Sequence, residues 1–103
     1  MAVRKQYADP AVYEEKLKKV MGRLGVEQFD YDWSRFLCWV SFTYKGQAYR
    51  FEHGVENANA HGVRLSYGSD AFAQLVRALE DLARMVERGI YDLSTWISGL
   101  KYL

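Results

Sequence analysis

The apolar positions of the chain follow two periods, and the switch between them marks out the elements. Tyr13, Leu17, Val20, Met21 and Leu24 recur at helical spacing, which lays one apolar stripe along a helix. Asp9 can cap the free amides at its start. Pro10 suits the first helical position, because its missing N–H would go unpaired there anyway. Gly25 stops the helix, and Val26 can make the apolar contact that follows a glycine cap. The spacing predicts a first helix over about 10–24. Residues 1–8 lack a period and are expected to form a flexible, basic lead-in to one domain over 9–103.

From Phe29 onward the period is two. Phe29, Tyr31 and Trp33 alternate with Asp30 and Asp32, and a second run spans Phe36 to Tyr44. Lys45-Gly46 is a turn signal, and Gln47 to His53 runs back. Two-residue loops would pair Tyr44 with Gln47 and Trp33 with Phe36. One face then carries Phe29, Tyr31, Trp33, Phe36, Cys38, Val40, Phe42, Tyr44, Tyr49, Phe51 and His53. The other carries Asp30, Asp32, Leu37, Trp39, Ser41, Thr43, Ala48, Arg50 and Glu52. A slip of one residue would exchange these faces, so the pattern specifies the register strongly.

Residues 54–62 read as a short helical turn or loop, and Val63 to Tyr67 as a brief extended stretch. Gly68-Ser69 opens the clearest helix, over about 69–88, with Ser69 as its expected N-cap and Asp70 in its first turn. Phe72, Leu75, Val76, Leu79, Leu82, Ala83 and Val86 form its stripe, and Gly89 stops it. Asp92 is placed to cap a last short helix carrying Leu93, Trp96, Ile97 and Leu100 on one face. The order α-β-β-β-(turn)-α-α implies an α+β domain, a three-stranded antiparallel meander with helices packed on one face.

Composition narrows the function more than it names it. The 103 residues suffice for one core, and 14 Lys and Arg against 13 Asp and Glu leave a net charge of +1. A general polyanion binder carries a larger excess. The apolar runs fall short of the ~20 residues that span a bilayer, and no signal-peptide pattern opens the chain. The one cysteine, Cys38, excludes an internal disulfide and suits a reducing cytoplasm.

The sequence has no phosphate-binding glycine loop, HExxH, CxxC or GxSxG. Cys38 lies opposite His53 in the expected register, the spacing of a thiol and its base. A buried thiol packed beside a strand-end His explains the pair more simply. A zinc site from Cys38, His53 and His61 would need a fourth ligand such as Glu56 at no standard spacing. No catalytic residue, metal or cofactor is therefore expected. Asp30 and Asp32 are read as solvating an outer strand face. Tyr91 and Asp92 could form a binding loop, although capping accounts for Asp92. Leu37 and Trp39 instead stand on an otherwise polar face beside Arg50, the composition of an interface hot spot. Two arrangements remain open: a partner covers this face, or the last helix or the N-terminal segment does. Arg50 could also stack locally on Trp39.

Two resemblances follow from these residues. The order α-β-β-β-α and the stretch YGSDAFAQLVRALEDLA resemble the double-stranded RNA-binding domain and the start of its second helix. That family grips phosphates there with lysines, whereas this chain has Asp70, Ala71 and Phe72, so no functional residue carries across. The stretches RFEH, YGSDAFAQ and LEDLARMVERGIYDL are similar to uncharacterised prophage-type proteins of Gram-positive bacteria, whose module sometimes precedes a J domain of the DnaJ type. The J-domain HPD tripeptide is absent here, since the sole proline is Pro10. The resemblance implies a small mobile-element protein acting as adaptor or inhibitor. The expectation is a non-enzymatic protein-interaction module binding through Leu37, Trp39 and Arg50. A homodimer could form through the edge of the first or third strand. The alternative is a weak nucleic-acid binder using Arg4, Lys5, Lys16, Lys18, Lys19 and Arg23.

Overall fold

A computed structural model describes residues 9–102. Helix α1 (Pro10–Arg23) precedes strands β1 (Phe29–Trp33), β2 (Leu37–Tyr44) and β3 (Gln47–Gly54). Helices α2 (Val55–Ala60), α3 (Gly68–Glu87) and α4 (Leu93–Trp96) follow, with a 3-10 turn at Ser98–Leu100. The strands make one antiparallel sheet in the order β1-β2-β3. This is the α+β meander that the two periods predict. Residues 63–67 form no strand, although Leu65 is buried. Among the described residues no helix is long and apolar enough to cross a membrane.

The ends of α1 follow from its sequence. Asp9 accepts from the Ala11 amide at 2.9 Å with Pro10 in the first turn. After Leu24, the Val26 amide returns to Met21 O at 2.9 Å and the Gly25 amide to Gly22 O at 3.2 Å, closing the helix with buried Val26. The expected Ser69 cap of α3 is corrected. The N-cap is Tyr67, and the Asp70 carboxylate reaches back to the amides of Ser66 and Tyr67 at 3.3 and 3.1 Å. Ser69 sits inside the first turn because Gly68 is already helical.

Helices α1 and α3 lie side by side on one face of the sheet, and the core fills the space between. Phe72 is fully buried and stacks on Trp33 and Tyr31, with ring centroids 4.9 and 5.3 Å away. Burial of such a ring contributes roughly 1.5–3 kcal/mol. At the far end Arg23 grips Glu87 with two bonds, Nη2 to Oε1 at 2.6 Å and Nε to Oε2 at 3.0 Å. This fork raises the pKa of the guanidinium and lowers that of the carboxyl.

The β2–β3 register is as expected, with Tyr44 opposite Gln47 and Cys38 opposite His53. The β1–β2 turn sits one residue later than the sequence suggests. Trp33 pairs with Cys38, not Phe36, and the Ser34 amide donates to Leu37 O at 2.8 Å. Since the partner shifts by two residues, every strand residue keeps its face, but Phe36 leaves the apolar face for the turn and is 52% exposed. Tertiary contacts fix this choice. The Gly68 amide donates to Arg35 O at 2.6 Å, and the Val55 amide to Phe36 O at 2.9 Å.

Candidate interaction surface

Neither long helix packs on the second face of the sheet, which bears the residues of mixed character. Trp39 stands between Asp32 on β1 and Glu52 on β3, while Ser41 stands between Asp30 and Arg50. The Arg50 guanidinium lies 4.5 Å from the Trp39 ring centre and 5.2 Å from that of Tyr102. Arg50 Nε is shut off from water without a hydrogen bond, and Glu52 Oε2 lies 3.4 Å away as an ion-pair partner. Trp39 is thus half-buried beneath a cation, not an open ring. The last helix does not cover this face: Leu93 and Ile97 turn into the core, whereas Trp96 is exposed instead of joining the buried face. Among the described residues the C-terminal segment reaches round, through Tyr102 against Arg50. The N-terminal residues 1–8, including Arg4 and Lys5, lie outside the described residues.

Leu37 is the open apolar residue here, at 62% exposure. Its neighbours Phe36 and Tyr67 are also more than half exposed. Two glycines explain why these side chains stand out while their backbone is fixed. A Cβ on Gly68 would lie 2.0 Å from Ser34 O and 2.6 Å from Leu37 O, so only glycine allows α3 to dock against the turn. A Cβ on Gly54 would lie 2.7 Å from Leu37 Cδ2, so the Leu37 side chain leans across a gap in β3. The carbonyls of Arg35, Phe36 and Leu37 accept from Gly68, Val55 and Ser34. A knuckle held at three successive carbonyls is preorganised, which lowers the ordering cost of binding. The sequence reading found Leu37 but missed Phe36 and Tyr67, because nothing local separates a turn at 34–35 from one at 35–36.

Further along the same face, an open depression of about 290 Å3 has Ser41, Thr43 and Ala48 in its lining, with Asp30 and Tyr102 beside them. Asp30 and Asp32 also have a backbone role. Ser34 to Leu37 and Thr43 to Gln28 (3.2 Å) are ladder bonds, so the even residues of β1 face β2 and the odd amides face the free edge. The Tyr31 and Trp33 amides are taken by Asp30 Oδ1 and Asp32 Oδ1 at 2.9 and 2.8 Å. The β1 edge therefore offers a second strand fewer donors and two carboxylates.

The other candidate residues are engaged elsewhere. Cys38 is buried, and burial pushes its thiol up to about 12. The His53 ring turns away to donate from Nε2 to Gln74 Oε1 on α3, so strand pairing does not become a thiol–imidazole contact. Among the described residues no cluster of three or more His, Cys, Asp or Glu side chains could hold a metal ion. On α1, Lys16 pairs with Glu80 at 3.9 Å, Lys18 with Glu15 at 3.2 Å and Arg23 with Glu87. The Tyr31 hydroxyl donates to Glu14 at 2.6 Å, which raises its pKa to about 12. A second exposed apolar group, Ile90, Tyr91 and Trp96, is tied internally: Trp96 Nε1 donates to Ile90 O at 2.7 Å and its ring meets Tyr91 edge-on. No family model, curated protein or solved structure matches the chain.

Proposed function

We propose that this chain is a small non-enzymatic protein-interaction module whose contact surface centres on Leu37. Phe36 and Tyr67 extend it at one end, and the Trp39–Arg50 stack at the other. The observation carrying this reading is the knuckle itself: large apolar side chains more than half exposed on a backbone pinned at three successive carbonyls. A solvent-exposed turn has no folding reason to present such residues, whereas a binding surface does. Asp32, Arg50 and Glu52 supply the mixed polar rim of a protein contact. Phosphate binding is less well served, because three of the four α1 cations already pair with carboxylates. The resemblance to prophage-type proteins suggests a host protein as the target of an adaptor or inhibitor.

The test is differential capture from a host lysate by immobilised wild-type chain, Leu37→Asp and Lys19→Ala. The proposal expects a protein retained by the wild type and Lys19→Ala and lost by Leu37→Asp. Identical capture by all three would end it, and loss with Lys19→Ala alone would move the site to α1.

A further inference from the structure

The two edges of the sheet are unlike each other. The amides of β1 that face outward are filled by Asp30 and Asp32. On β3 the Val55 amide points to Phe36 O, so the odd residues carry the β2 ladder and the even residues face out. Among the described residues the outward backbone groups of Arg50 and Glu52 have no backbone partner. The same edge already holds an antiparallel segment of this chain. Lys101 bridges Tyr49, and the Tyr102 amide donates to Ala48 O at 2.9 Å. That segment leaves the edge before Arg50, because Ser98–Leu100 is a 3-10 turn.

We infer that the β3 edge from Arg50 to Gly54 receives an extended segment of a partner protein as an added antiparallel strand. This names the partner chemistry for the surface proposed above and rests on that reading. Backbone pairing would supply attraction, and alternate side chains selectivity. The residue opposite Gly54 would meet the exposed Leu37 side chain that leans over this glycine, so an apolar group fits there. The residue opposite Glu52 is best basic, and the one opposite Arg50 best acidic. In antiparallel order the partner reads apolar, any, basic, any, acidic. The acidic residue also brings a second carboxylate towards the Arg50 guanidinium, whose Nε side Glu52 already meets at 3.4 Å.

The test titrates isotope-labelled full chain with a blocked pentapeptide, leucine-threonine-lysine-threonine-glutamate, followed by backbone amide NMR. Saturable shifts and slowed exchange at the Arg50 and Glu52 amides are expected, with a Kd in roughly the millimolar range usual for so short a contact. Exchanging lysine and glutamate in the peptide should weaken binding about fivefold, since two opposite-charge pairs become like-charge pairs. Glu52→Lys should abolish that preference. No saturable change up to about 10 mM peptide, or shifts confined to β1 or α1, would overturn the inference. So would a peptide-free dimer protecting the same amides, which would assign the edge to a second copy. If the peptide fails while Leu37→Asp still loses a captured protein, the strand-addition inference falls alone; if both fail, the surface reading falls with it.

Discussion

Replacing Gly68 by alanine sets two physical effects against each other at one position. Gly68 is the first residue of α3, where alanine is the better helix former by at most the ~1 kcal/mol of a helix interior. Tertiary geometry opposes the change. The new methyl would fall 2.0 Å from Ser34 O, 2.6 Å from Leu37 O and 3.0 Å from Leu37 N, all of them backbone atoms that cannot swing aside. The helix must therefore draw back from the turn. Doing so stretches the Gly68–Arg35 bond and loosens the turn that Ser34–Leu37 and Val55–Phe36 also hold. At about 1 kcal/mol net for each hydrogen bond, three of them outweigh the gain in helix propensity, and displaced core packing adds to the loss. Gly68→Ala should destabilise by roughly 2–4 kcal/mol, a range typical of a disrupted buried contact. Urea unfolding followed by tryptophan fluorescence measures it, with Trp33 beside the turn as a local reporter. An alanine variant as stable as the wild type would refute the docking of α3 on this turn.

Leu79→Ala, at a fully buried position of α3, should cost roughly 2–5 kcal/mol in the same assay; a change below ~1 kcal/mol would contradict a close-packed core. Cys38 should resist thiol reagents at pH 8 until the protein unfolds, because its thiol is buried and held protonated up to about 12; labelling at the unfolded-chain rate would contradict its burial. Cys38 and Tyr31 both have folded-state pKa values raised to about 12, from 9.0 and 10.0. The stability they contribute is present below pH 9 and is lost as pH rises through that interval towards 12, which denaturation midpoints across the alkaline range will show. Asp92, held down to about 2 chiefly by the Ser94 side chain, behaves in the opposite sense: its contribution is present above its ordinary 3.8 and fades as pH falls through 2. Carboxyl NMR titration of Ser94→Ala should show the Asp92 pKa moving back upward.

Most of the fold was legible because each element satisfies its own local rule. The α1 boundaries follow from Asp9, Pro10 and Gly25, and the β2–β3 register from strict alternation about Lys45-Gly46. The β1–β2 turn escaped because its position is set by residues 19 and 33 places downstream of the turn carbonyls, the amides of Val55 and Gly68, so no local pattern could report it. The same cause hid the exposure of Phe36 and Tyr67. The candidate face was legible in membership, since parity places Leu37, Trp39 and Arg50 together whichever even shift the register takes. Its distribution of exposure was not. Arg50, itself met by the returning Tyr102, covers Trp39, while Leu37 beside Gly54 stays open. Asp30 and Asp32 were legible as surface residues, but their service to the β1 edge amides depends on which amides point outward, and that is known only once the ladder is seen.

Binding of another protein at the Leu37 knuckle is the proposal on which the rest depends. Amide hydrogen exchange of the chain, alone and with the protein that wild type captures and Leu37→Asp does not, tests it most directly. Protection is expected to concentrate at residues 35–39 and 50–54, with the exposed side of α1 around Lys18 and Lys19 unchanged. Protection on α1, with residues 35–39 exchanging as in the free chain, would contradict it.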